Sequence, residues 1–198
     1  MDNKAFFKLS YGLFVLSARE GEKDNGCIIN TAMQVTDHPK QLAVAINKNN
    51  YTHDMILHTG QFNLSVLTEK VPFAVFEQFG FQSGRDAEKF REPVRTPNGI
   101  AYLEEYTNAV LCGKVVQSID CGTHTLFITE VEQAMVLNEE PSVTYAYYFE
   151  HIKPKPKAEG EKKKFVCEIC GFVYEGEELP EDYVCPLCKH GAAFFKEI

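Results

Sequence analysis

Basic charge is scarce in this 198-residue sequence, where 20 lysines and arginines face 28 acidic residues for a formal net charge of −8. The deficit removes the positive field that phosphate backbones require, so no nucleic acid partner is expected. Long hydrophobic runs are missing too. No stretch approaches the roughly 18–20 apolar residues that span a bilayer, so no membrane association is expected. The start, from Lys4 to Ala18, places two lysines ahead of Leu13-Phe14-Val15-Leu16; that run is too short for an export signal and predicts a strand. No G-x-G-x-x-G stretch is present, so a nicotinamide dinucleotide has no Rossmann unit of its own to occupy. With no credible export signal a cytoplasmic location is expected, and there the seven cysteines point to metal ligation rather than disulfides.

What is present is the composition of a globular protein, with 44% hydrophobic, 12% aromatic and 24% charged residues. The length suits one ordinary domain plus a small appendage. Residues 153–164, Lys-Pro-Lys-Pro-Lys-Ala-Glu-Gly-Glu-Lys-Lys-Lys, offer no apolar anchor and are expected to form a linker reaching at most about 40 Å. Net charge is −7 over residues 1–152 (12 basic, 19 acidic), +4 over 153–164 (6 basic, 2 acidic) and −5 over 165–198 (2 basic, 7 acidic). A basic strap therefore joins two acidic domains, 1–152 and 165–198.

The larger domain is expected to be mainly β. Leu13–Ala18, Cys27–Val35, Gln41–Ile46, Phe62–Leu67, Ala109–Ser118, Thr123–Leu137 and Ser142–Phe149 are rich in β-branched and aromatic residues, and so many short strands imply a barrel. A few helices are expected, at Ala5–Leu9, Thr52–His58 and Pro72–Phe79; the last spaces Phe73, Phe76 and Phe79 by three and puts them in the core.

Near the C-terminus, Cys167-x-x-Cys170 and Cys185-x-x-Cys188 lie 14 residues apart, a spacing that sets four thiolates around one tetrahedral ion. Zinc and iron both remain open on spacing alone. Gly171 supplies the permissive backbone that lets N–H groups approach the sulfurs. The surrounding Cys-Gly-Phe-Val-Tyr174, the acidic loop Glu175–Glu178 with Pro180, the Cys-Pro-Leu-Cys knuckle and Phe194-Phe195 together resemble rubredoxin. That resemblance implies one iron cycling between ferric and ferrous states in a four-cysteine cage.

In the larger domain, the run Cys27-Ile-Ile-Asn30-Thr31-Ala32-Met33-Gln34-Val35-Thr36-Asp37-His38-Pro39 and the segment Asn47-Lys48-Asn49-Asn50-Tyr51-Thr52 resemble the flavin reductase-like family. The resemblance continues through Gly60–Leu64, Phe81–Phe90 and the strand around His124. It implies a split β-barrel binding FMN, a homodimer, and NADH or NADPH docking over the flavin. Asn30, Thr31, Ala32, Met33 and Gln34 form a polar strand end able to meet the flavin ring edge. Asn47, Lys48, Asn49 and Thr52 lie where a strand gives way to a helix, a place that favours phosphate. Thr52 as a helix cap and Asn47–Asn50 as a plain turn are the competing readings. The loop Ser83-Gly84-Arg85-Asp86 can add a phosphate contact. His124 matches a histidine near the family's nicotinamide site, although Thr123 stands where the family often has an acidic residue. Cys27, Cys112 and Cys121 are expected to be small strand fillers.

Taken as a whole, the chain resembles fused flavin reductase and rubredoxin proteins. This implies that NADH reduces FMN, which passes single electrons to the iron and on to an acceptor such as a flavodiiron protein. Two other readings stay open: an FMN and iron carrier that does not oxidise NADH, and a flavin reductase with a structural zinc ribbon.

Overall fold

The computed structural model describes residues 1–155 and 163–198. They belong to two compact units, Met1–Lys153 and Pro154–Ile198. Most of the expected linker lies outside the described residues.

In the first unit seven strands form one antiparallel sheet: β1 (Phe14–Glu20), β2 (Lys23–Ile29), β3 (Ala32–Thr36), β4 (Gln41–Asn47), β5 (Gln61–Leu67), β6 (Thr107–Asp120) and β7 (His124–Val136). Their order is β2-β1-β5-β6-β7-β4-β3. The two edge strands, β2 and β3, are separated in the chain by Asn30 and Thr31 alone. The sheet must therefore curl until those edges come within about 10 Å, the reach of the intervening residues. This is the split barrel expected from the sequence, open along one seam.

The alternation of β1 shows how one strand serves two cores. Phe14, Leu16 and Ala18 face the barrel interior with Ile46, Phe62 and Phe127, whereas Leu13 and Val15 pack against Phe76, Phe79, Phe90 and Tyr148 on the other side. Helix α1 (Tyr51–Thr59) adds Met55 and Ile56 to the inner core. It ends at Gly60, whose φ of 70° permits its N–H to reach Ile56 O at 2.9 Å. The helix cap is Asn50 rather than Thr52. Pro72–Phe79 is a short helix, Phe73–Phe76, continued by a wider π turn over Glu77–Phe81, and it buries Phe76 and Phe79 as their spacing predicts.

Two expectations fail. Cys27–Val35 is broken at Asn30-Thr31, where the chain leaves one edge of the sheet and joins the other. Ser142–Phe149 is not a strand: after isolated bridges at Ser142 and Thr144 it turns into helix over Tyr145–Tyr147 and Tyr148–Ile152. The Thr144 hydroxyl caps this turn by accepting from Tyr147 N at 3.1 Å. Tyr148, four residues on, then packs its ring against Phe76, tilted by 47° with centroids 4.5 Å apart. Local capping and aromatic packing outweigh a β-propensity that is itself largely a packing preference.

The second unit is a small sheet of β8 (Lys163–Cys167), β9 (Val173–Gly176) and β10 (Phe195–Glu197), in the order β10-β8-β9. Phe165, Tyr174, Tyr183 and Phe195 make a chain of ring contacts across it, at 6.3, 4.6 and 5.3 Å. Two cysteine knuckles complete the unit.

A Cβ on Gly113 would run into the ring of Phe62, which is fully buried. Gly113→Ala is therefore expected to destabilise the first unit by about 1–3 kcal/mol, read as a lower denaturant midpoint at unchanged slope. An unchanged midpoint would mean that the ring yields freely.

Candidate functional site

Each knuckle uses the same backbone device. Gly171 (φ 74°) follows Cys170 and Lys189 (φ 63°) follows Cys188, both left-handed. Their N–H groups donate to Cys167 O at 2.8 Å and Cys185 O at 3.0 Å. The turn aims the next N–H, of Phe172 or His190, at the sulfur of Cys170 or Cys188. The Cys185 sulfur accepts from the N–H groups of Cys188 and Leu187.

The four sulfurs lie within 4.8 Å of one another, with Cys167 to Cys188 at 3.6 Å and Cys170 to Cys185 at 3.5 Å. An ion held at about 2.3 Å by four thiolates sets them about 3.8 Å apart. The set therefore fits one tetrahedral metal with a slight expansion. Cys167 and Cys185 are buried and Cys170 is exposed. Burial pushes the Cys185 thiol up, but the N–H groups of Cys188 and Leu187 and the neighbouring thiols outweigh it and bring it down to about 6. Cys188 goes the other way, to about 12, because burial and the surrounding thiols overcome the lowering effect of the His190 N–H. One thiolate forms readily and the rest ionise as metal arrives, so metal binding releases protons.

A second site opens at the N-terminus of α1. A cavity of about 210 Å³ is lined by Asn25, Cys27, Asn49 to Thr52, Phe79 to Gly84 and Lys89. Lys89 is only 3% exposed, and its ammonium donates to Gly26 O at 2.9 Å and Phe79 O at 3.2 Å without a carboxylate partner among the described residues. Burial holds it below the ordinary lysine range, with Cys27 opposing. Asn25 donates from its amide to Thr52 Oγ1 at 3.0 Å, while its buried Oδ1 has no partner among the described residues. Gly84 approaches so closely that a Cβ there would overlap the Asn25 amide. A buried cation, an unsatisfied acceptor and the N–H groups of a helix start converge here, which suits a ligand carrying both negative charge and hydroxyls, such as a sugar-alcohol phosphate. Beside the cavity, Arg85 lies over the Tyr51 ring at 4.8 Å and pairs with Asp54 at 2.6 Å; Lys23 is 4.9 Å from the same ring.

The residues expected from sequence occupy three places. Asn49, Thr52 and Ser83 line the cavity, and the Ser83 hydroxyl accepts from Arg85 N at 3.2 Å. Asn47 pairs with His124 in the β4–β7 register, and Asn47 Oδ1 accepts from Asn49 N at 2.9 Å, linking this second place to the first. Lys48 belongs here as well. Its ammonium pairs with Asp120 at 2.6 Å at the tip of the β6–β7 hairpin, where it and the Gly122 N–H hold the Asp120 carboxyl below its usual range. His124 Nδ1 lies 2.9 Å from Thr123 Oγ1. Ala32, Met33 and Gln34 line the third place, an apolar groove of about 370 Å³ with Phe14, Leu64 and Leu111. Asn30 and Thr31 sit on the seam, where Thr31 O accepts from Ala45 N at 3.1 Å. Sequence reasoning missed Asn25 and Lys89, since nothing in Asp86–Arg91 distinguishes a buried lysine from surface charge. It also placed Cys121 in a strand interior, whereas that thiol is exposed at the hairpin tip; Cys27 and Cys112 are buried.

Comparison with known proteins accounts for both units. Residues 6–155 match the family described as flavin reductase like domain, and residues 165–196 match that described as rubrerythrin, rubredoxin-like domain. The chain is 36% identical, over the full length of both, to the high molecular weight rubredoxin of Moorella thermoacetica. It is 38% identical to the ferric-chelate reductase (NAD(P)H) of Archaeoglobus fulgidus over 79% of this chain and 93% of that one. Among solved structures, the NADH:FAD oxidoreductase of Streptomyces globisporus C-1027 superposes with a TM-score of 0.64 at 19% identity, over 71% of this chain and 83% of that one, a likeness of fold.

Burial pushes the Cys27 thiol up to about 11 against the opposing effects of Thr52 and Lys89, whereas Cys121 faces solvent. In metal-loaded protein, iodoacetamide at about pH 8 is expected to label Cys121 well before Cys27 and Cys112, as followed by peptide mass spectrometry. Equally fast labelling of Cys27 would mean that the barrel interior is open.

Proposed function

The chain belongs to the flavin reductase like family, with a rubredoxin-like domain following it, and from that premise we propose that it is an NADH-dependent flavin and iron electron-transfer oxidoreductase. Bound FMN supplies hydride acceptance and one-electron release, and iron in four thiolates supplies one-electron carriage. One observation carries the reading: a tetrathiolate set lies in the same chain as a barrel whose α1 cavity holds a buried cation beside an unsatisfied acceptor.

This chain's own residues would act as follows. Lys89, Ser83 and the N–H groups at the start of α1 hold the phosphate, and Asn25 Oδ1 accepts from a hydroxyl of the ribityl arm. Arg85, placed by Asp54 and Tyr51, screens the phosphate charge at the rim. Asn30, Thr31, Ala32, Met33 and Gln34 meet the ring edge along the seam. His124, with Asn47 and Lys48 near it, orients the nicotinamide, and Cys167, Cys170, Cys185 and Cys188 hold iron. A homodimer is part of the proposal, supported by the apolar side chains Met33 (60% exposed) and Val35 (48%) on the edge strand β3. So are a cytoplasmic location and an acceptor protein of flavodiiron type.

Stopped-flow mixing with NADH without oxygen tests the route. The flavin bands should bleach first and the ferric-thiolate bands follow, whereas Cys170→Ser should bleach flavin alone. Flavin that ignores NADH would leave a carrier loaded by another reductase. Lys89→Met should weaken FMN binding roughly 10- to 100-fold, the effect of losing a hydrogen bond to a charged group, with iron content unchanged. Undiminished FMN affinity in that variant would remove the phosphate from this cavity.

A further inference from the structure

The two knuckles are built alike except at one position. Each needs a left-handed residue directly after its second cysteine, because that turn delivers the following N–H to the cysteine sulfur. Gly171 meets the need at no steric cost. Lys189 meets it with φ at 63°, a conformation in which a Cβ crowds the neighbouring carbonyl and which lysine rarely adopts. The second knuckle thus holds a strained residue where glycine would be more stable. Lys189 is exposed and makes no ion pair among the described residues. Two lysines of strand β8 do pair, Lys163 with Glu197 at 3.0 Å and Lys164 with Glu175 at 3.0 Å.

What the side chain brings is charge. Residues 165–198 carry seven acidic groups against Lys189 and Lys196. Four thiolates outweigh ferric iron by one negative charge and ferrous iron by two, so each reduction adds negative charge to a region already negative. A cation one peptide away from a ligand, about 3.8 Å between Cα atoms, attracts the reduced form more than the oxidised form. Resting on the iron reading above, we propose that Lys189 is a potential-tuning residue: its charge favours the ferrous state, and the left-handed strain persists because that charge is needed beside the centre.

The test is a spectroelectrochemical titration of the ferric-thiolate band in the full chain at low ionic strength, where an exposed charge is least screened. Lys189→Gln should shift the ferric-to-ferrous balance threefold to tenfold toward ferric, tenfold being about 59 mV for one electron. Lys189→Arg should hold the wild-type midpoint. Lys189→Gly should show the same drop as Gln together with a higher unfolding midpoint, because it removes charge and strain at once. Intact ferric bands with an unmoved midpoint in both Gln and Gly variants would overturn the tuning role. A wild-type chain whose metal-loaded form shows no ferric-thiolate band would instead overturn the iron reading, and this inference with it.

Discussion

Two residues, Asn30 and Thr31, constrain the whole first unit, because they join the strands at opposite ends of a seven-stranded sheet. A flat sheet of that width would put β2 and β3 more than 25 Å apart, at about 4.8 Å per strand. Curling is therefore obligatory, and the curl decides where everything else sits. It creates an interior that Phe62 and Phe127 fill, and it leaves β3 as an edge carrying Ala32, Met33 and Gln34. Within it, the antiparallel pairing of β4 with β7 sets Asn47 opposite His124, and the chain turns at Lys48–Asn50 into α1. The polar cavity at the start of α1 is a consequence of that turn.

Charge management differs between the two units. In the first, a cation is buried without a carboxylate and an acceptor is left unpaired among the described residues, arrangements that cost stability unless a ligand completes them. In the second, backbone N–H groups converge on the sulfurs of Cys170, Cys185 and Cys188, and the left-handed Gly171 and Lys189 aim those that reach Cys170 and Cys188. Both sites are preorganised for negative charge. They reach it by different means, side chain and helix start in one and tight turns in the other.

Much of this was legible in the sequence because it is local. The Cys-x-x-Cys pairs need only short turns to converge, and alternating Val, Ile and aromatic runs announce strands whose partners can remain unknown. The helix at Thr52–His58 was placed within a residue, since its polar start and apolar face lie within a few turns. What escaped notice was non-local. Lys89 looks like any other charge in Asp86–Arg91 until the loop folds it against Gly26 O, and Asn25 gains meaning only when Gly84 closes over it. Lys48 stands before a helix, where phosphate binding is expected, and its ion pair with Asp120, 72 residues away, was not legible in the sequence. Ser142–Phe149 misled because aromatics that favour strands also stack well at helical spacing.

Reductive titration with NADH in the absence of oxygen tests the central claim most directly, because it counts electrons. A chain holding one FMN and one iron stores two electrons and one, so flavin and ferric-thiolate bands should be fully bleached at roughly 1.5 NADH per chain. An endpoint near one equivalent, with the ferric-thiolate bands still intact, would show that the two centres do not share electrons and would contradict the proposed route.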